Sequence, residues 1–153
     1  MAHTITMYDK AKVKILDGTI DLDTNTLKVA LLQSGYTPDY DANEFASAIT
    51  AYELNVGAGG TGYQAGFAGT GRKTLAGPAI TQISTGAKFD GTDVTFPTLN
   101  ANLGQVYGAV LYKHETSDAA SRLIAYIDFD PNFVPDGNDL TIQWNTEGIL
   151  KAE

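Results

Sequence analysis

Apolar and polar residues alternate with a period of two along much of this chain. In TLKVALL (26–32), Leu27, Val29 and Leu31 fall on one side, which is the periodicity of a strand. In RLIAYIDF (122–129), Leu123, Ala125, Ile127 and Phe129 oppose Ile124, Tyr126 and Asp128; in DLTIQW (139–144), Leu140, Ile142 and Trp144 oppose Thr141 and Gln143. AITQIS, DVTFPTL and QVYGAVLYK are rich in β-branched and aromatic residues, and turn chemistry separates the runs at Thr85-Gly86, Asp90-Gly91, Ser117-Asp118 and Asp136-Gly137-Asn138. Short strands at this spacing predict antiparallel pairing, in a sheet with a core face and a wetter face. Helical spacing is confined to the first third. Met7, Tyr8, Ala11 and Ile15 form one stripe after Thr6-Met7-Tyr8-Asp9, which matches a capping box, and Gly18 supplies a stop. DANEFASAI (41–49) is a second helical candidate. The pattern predicts a mainly β fold: an antiparallel β-sandwich or barrel-like domain with a short N-terminal α-helix and a long glycine-rich loop.

The chain has 153 residues, 43% of them hydrophobic. That length suits a single domain, residues 1–153, burying roughly 68–70% of its unfolded surface. With no cysteine, disulfides, thiolate nucleophiles and Cys-containing metal sites are excluded. No run approaches the roughly 20 apolar residues that cross a bilayer as a helix, so no membrane partner is expected. Ten Lys and Arg against eighteen Asp and Glu give a net charge of −8, a field that repels phosphate backbones, so no nucleic-acid partner is expected either. The scattered acids read as a solubilising surface.

Glycine is the most conspicuous compositional feature. Seven of the sixteen glycines lie within Gly57–Gly71. GAGGTG (57–62) fits a dinucleotide fingerprint letter for letter, and GFAGTGRKT (66–74) resembles a P-loop. Neither has the required context. A dinucleotide loop needs a strand before it and a helix opening at its third glycine, whereas Gly62, Gly66, Gly69 and Gly71 follow too closely for a helix. The P-loop needs glycine directly before lysine, and Arg72 stands there. Gly57–Gly71 instead reads as a flexible arm. Gln33–Lys73 as a whole, with Tyr36, Tyr40, Tyr52, Tyr63 and Phe67, reads as an extended arm that orders against a neighbouring subunit, or else as a surface loop.

Catalytic constellations are thin. His3 lies in a segment expected to fray, and His114 lies beside a turn; both read as solvated histidines. Asp21, Asp23 and Asn25, and again Asp128, Asp130 and Asn132, form Asp-x-Asp-x-Asn runs. An EF-hand needs glycine at its sixth position, where this chain has Thr26 and Phe133. Pro131 and Pro135 interrupt the second run, leaving at most a looser cation site near Asp128–Asp139; turn and strand-end roles are the better account. Tyr107, Tyr112, Tyr126, Phe129 and Trp144 read as core packing rather than a sugar-stacking platform. No catalytic, cofactor-binding or metal-ligating residue is assigned, and no enzyme activity is expected.

The order of segments carries a further indication. An opening helix, IDLDTNTLKVALL, YTPDYDA, a glycine-rich GTGYQAG run before KTLAGPAIT, KFDGTDVTF, QVYGAVLYK, LIAYIDF and the closing DLTIQWNTEGIL follow one another along nearly the whole chain. In that order the chain resembles a family of small proteins encoded among the structural genes of tailed bacteriophages and prophages. The most telling pairs are GTGY with KTL, and LIAYIDF with TIQW-x-x-x-GIL. The resemblance implies a non-enzymatic virion component, a capsid decoration (cement) protein on the shell surface. Its expected partners are the major capsid protein and further copies of itself as a trimer or dimer, and it would sit in the host cytoplasm until assembly. A neck or tail component, or a carbohydrate- or receptor-binding module, is the alternative. Ala2–Met7 and the glycine-rich arm are expected to carry the capsid or subunit contacts.

Overall fold

The computed structural model of the protein describes residues 2–55 and 62–153. In chain order its elements are β1 (His3–Met7), α1 (Asp9–Leu16), β2 (Leu27–Leu32), a 3₁₀ turn (Ala46–Ile49), β3 (Lys73–Thr74), β4 (Ala79–Ile83), β5 (Gly86–Asp90), β6 (Val94–Phe96), β7 (Val106–Lys113), β8 (Arg122–Phe133), β9 (Leu140–Ile142) and β10 (Leu150–Ala152). The fold is mainly β, and all its strand pairings are antiparallel. One sheet has five strands in the order β1-β8-β7-β2-β3, a second has three in the order β10-β5-β4, and β6 pairs with β9 in a third. None of the sheets closes on itself, so the barrel-like alternative is set aside.

The twelve-residue β8 is the spine of the large sheet, pairing β1 along one edge and β7 along the other. The expected wetter face is absent over most of it. Leu123, Ala125, Ile127 and Phe129 are buried, and so are Ile124 and Tyr126 on the opposite side; only from Asp128 onward does the second face open. A layer of aromatic side chains covers that second face. Tyr8 and Tyr36 share a hydroxyl–hydroxyl hydrogen bond of 2.7 Å, and Tyr36 also packs against Tyr126 and Tyr52 with ring centroids 5.8 and 5.6 Å apart. β2, one strand in from the β3 edge, is likewise buried on both faces, Ala30 and Leu32 as fully as Leu27, Val29 and Leu31. In DLTIQW the expected division holds: Leu140, Ile142 and Trp144 are buried, while Thr141 meets Thr95 on the exposed side through their hydroxyls at 2.9 Å.

The N-terminus departs from the sequence reading. Thr6 does not cap a helix but lies in β1, opposite Tyr126 of β8. The helix begins at Asp9, and the residue before it, Tyr8, makes no side-chain capping bond. Thr-Ile-Thr-Met suits a strand, and a ready partner edge on β8 outweighs the local capping pattern. His3 is therefore part of the sheet, half-buried edge-on against Trp144 at 6.0 Å, rather than frayed. The expected stop holds: α1 ends at Leu16, and Gly18 follows with φ +81°, the left-handed conformation that glycine adopts without a Cβ clash. In DANEFASAI only Ala46–Ile49 winds, as a single 3₁₀ turn.

Candidate functional site

The described parts of Gln33–Lys73 fold back onto the chain's own sheet, correcting their reading as an extended arm. An isolated bridge joins Glu53 to Leu32, and the Leu54 amide donates to the Leu31 carbonyl at 2.9 Å. Tyr63 is only 2% exposed; its hydroxyl accepts the Leu31 amide at 3.1 Å and donates to Glu53 Oε1 at 2.7 Å. Phe67 stacks on His114 with centroids 4.8 Å apart.

Arg72 organises this region. Its Nε and Nη2 donate to Glu53 Oε1 and Oε2 at 2.9 and 2.7 Å, and Nη2 also reaches Asp118 Oδ2 at 3.0 Å. Nη1 bonds Asp118 Oδ1 and the Tyr112 hydroxyl, and the guanidinium carbon lies 5.3 Å from the Tyr112 ring centroid. The Gly66 amide donates to Glu53 Oε2 at 3.0 Å. Both side chains of the Arg72–Glu53 pair are buried, and that of Asp118 nearly so. A guanidinium fork suits this task because its donors can engage two carboxylates at once. Burial opposes the Arg72 charge, but hydrogen bonds to Glu53 and Asp118 outweigh it and hold the proton above its ordinary affinity. Burial, then the Glu53 carboxylate, pushes the Tyr63 hydroxyl well above the usual tyrosine range. The clasp thus ties together three segments distant in sequence: the chain after β2, the glycine-rich run and the β7–β8 loop.

The two glycine motifs find different outcomes. Gly57–Thr61 of GAGGTG lies outside the described residues. In GFAGTGRKT, no helix follows the loop; Lys73–Thr74 is β3, paired with β2. Its amides are consumed locally, Gly69 donating to the Gly66 carbonyl and Gly71 to the Gln64 carbonyl, at 3.0 and 2.9 Å. A phosphate loop needs such amides free and convergent. Here the glycines serve close approach: a Cβ on Gly69 would stand 2.3 Å from the Gln64 carbonyl oxygen, and one on Gly71 would stand 2.7 Å from the Tyr63 ring. Arg72, which spoils the P-loop pattern, is the residue that the fold is built around at this point.

The other chemistry-bearing residues remain apart. Asp21, Asp23 and Asn25 form the turn between α1 and β2, the Asp21 amide donating to Asn25 Oδ1 at 2.8 Å. Hydrogen bonds from Asp23 and Thr24 lower the Asp21 carboxyl, and the same contact with Asp21 raises Asp23. Asp128 and Asp130 lie along β8, Asp136 is held low by hydrogen bonds from Asn138, and Asp139 accepts the Thr98 amide at 2.8 Å. Among the described residues no group of three His, Asp or Glu side chains is placed to hold a metal ion. His114 is half-buried, with a buried Nδ1 that has no hydrogen-bond partner among the described residues. Burial, with Lys28 and Arg72 nearby, lowers its pKa. Tyr126 and Trp144 are buried, so they do not form a flat exposed platform with the partly exposed Tyr107.

An open apolar groove of about 370 Å³ lies between α1 and the three-stranded sheet. Met7, Ile15, Leu16 and Leu22 line one side, and Ile80, Phe89 and Leu150 line the other. The latter three form one cross-strand row, because Ile80 of β4 faces Phe89 of β5 and Phe89 faces Leu150 of β10. Sequence periodicity missed this row because β5 and β10 are short and interrupted by lysine. No helix among the described residues is long and apolar enough to cross a membrane. Compared with protein-family models, with curated proteins and with solved structures, the chain matches none.

Proposed function

We propose that the protein is a non-enzymatic structural component of a tailed-bacteriophage virion, a decoration protein that binds the outside of the capsid through a β-sandwich-like body. The observation that carries this reading is how the polar chemistry is spent. The described residues best equipped for reactivity, Arg72, Glu53, Asp118, Tyr63 and Tyr112, bond to one another inside the fold, and none of them lines the apolar groove. What is left at the surface is suited to gripping protein: an apolar groove and an uncharged, exposed strand. The segment order described above supplies the class of partner, the major capsid protein. A ligand that recognises only the assembled shell would stabilise it by mass action.

The test is co-sedimentation of the purified protein with heads that lack it, counting copies bound at saturation. The expected result is on the order of hundreds of copies per particle, as a coat lattice repeats its sites. About a dozen copies would transfer the assignment to a neck or tail ring, and no binding would overturn it.

A further inference from the structure

We propose that β4 is a self-association edge, pairing antiparallel with β4 of a second copy about a two-fold axis at Thr81. This goes beyond the reading above and is measured on the free protein, so either can fail without the other.

Three observations lead to it. First, among the described residues β4 pairs with β5 alone and lacks cover on more than its open edge: Ala79, Ile80, Thr81 and Gln82 are all exposed, so both faces of the strand meet solvent, and Ile80 retains 51% of its surface. Second, within Ala79–Ile83 the edge carries none of the usual protection, proline standing only just before the strand at Pro78. Its pairing with β5 runs without a bulge from Ala79 to Ile83, and the sequence has no charged residue from Thr74 to Ala87. Edge strands that stay solitary are commonly blunted by charge, proline or a bulge. In a chain of net charge −8, this neutral stretch adds no like-charge repulsion of its own where two copies meet.

Third, the hydrogen-bonding phase permits self-pairing. The Phe89 carbonyl accepts the Ile149 amide at 2.8 Å, so the Phe89 backbone faces β10. Its partner Ile80 is then a non-hydrogen-bonded position toward β5, and by alternation the amides and carbonyls of Ile80 and Gln82 point to the open edge. A two-fold axis at Thr81 sets Ile80 opposite Gln82 of the other copy, and the reverse, so these groups satisfy one another. The row Ile80–Phe89–Leu150 is met across the axis by Gln82 and Ala87 of the other copy, and two three-stranded sheets become one of six. Leu16, 89% exposed at the lip of the same groove, lies beside the extended surface.

The experiment is mass determination by light scattering and sedimentation from low micromolar to millimolar protein, for the wild type and Thr81→Glu. Thr81 faces Lys88 within the monomer, so the glutamate gains a favourable cross-strand partner there but meets its own copy across the axis. A wild-type dimer whose dissociation constant rises about tenfold or more in Thr81→Glu, with unchanged circular dichroism, is the expected outcome. Thr81→Cys gives an independent readout in a chain with no other cysteine. Opposed non-hydrogen-bonded positions stand about 4.5 Å apart at Cα, within disulfide reach, so mild oxidation should cross-link it far faster than Thr116→Cys on the β7–β8 loop. A wild type that stays monomeric to millimolar concentration overturns the proposal and leaves β4 to a strand of another protein. A trimer, an undiminished Thr81→Glu dimer, or equal cross-linking of the two cysteine variants overturns it as well.

Discussion

Arg72 and Glu53 meet as a buried two-pronged ion pair, with Nε to Oε1 at 2.9 Å and Nη2 to Oε2 at 2.7 Å, although 19 residues separate them in the chain. A pair without exposed surface gains little net stability against an apolar substitute but is costly to break from one side. Arg72→Met should therefore destabilise the fold by about 3–5 kcal/mol, because Glu53 and Asp118 lose their counter-charge together. Arg72→Lys should recover only part of this, since a single ammonium cannot reproduce the fork. Urea unfolding monitored by the single tryptophan, Trp144, measures both; a Met variant within 1 kcal/mol of wild type, the range of an exposed pair, would remove the clasp from the account.

The Tyr63 hydroxyl joins the clasp to the sheet by accepting from the Leu31 amide and donating to Glu53. Tyr63→Phe leaves the ring in place but strands a buried amide. The expected loss is about 1–3 kcal/mol, accompanied by faster hydrogen exchange at the Leu31 amide.

Gly71→Ala should be worse than its single methyl suggests. The added Cβ would meet the Gln64 carbonyl oxygen at 2.6 Å and the Tyr63 ring at 2.7 Å, a clash relieved only by moving the backbone or the buried ring. Overpacking of this kind costs about 1–3 kcal/mol. A melting temperature equal to that of wild type would show that the approach is looser than described.

The protein should lose stability below neutrality through His114. Burial, with Lys28 and Arg72, depresses its folded pKa below the unfolded value of 6.5. The folded state then binds this proton less readily than the unfolded chain does. Stability from the neutral ring is thus fully present above pH 6.5 and declines as pH falls toward the folded pKa. Urea midpoints should be level above that value and fall below it, and His114→Gln should flatten that part of the profile. An unchanged slope in the variant would assign the acid sensitivity elsewhere.

How much of this was legible in the sequence differs from element to element. β2 and β9 fall within alternating runs and β4, β6 and β7 within runs rich in β-branched and aromatic residues, since both signals act locally, whereas β8 continues four residues beyond its run, to Phe133. The turns follow from their Gly, Asp and Ser residues for the same reason, and α1 ends at its glycine. β1 was hidden behind a capping pattern because the decision between strand and helix rested with β8, more than a hundred residues away. The second face of β8 read as half-wet because Ile124 and Tyr126 alternate with buried residues. It is dry because Tyr8 and Tyr36 arrive from elsewhere in the chain.

The same division governs the site. Composition and near-neighbour spacing suffice to read the chain as β-rich, acidic and without cysteine, and to deny either glycine motif the strand–loop–helix context of a phosphate loop. That Arg72, in the sequence merely the wrong residue before a lysine, is sealed against Glu53, Asp118 and Tyr112 follows from long-range contacts of the folded chain. The same holds for Ile80, Phe89 and Leu150, which strand pairing aligns along a groove. Ion pairing and cross-strand rows join residues tens of positions apart, and no local period along the chain carries that information.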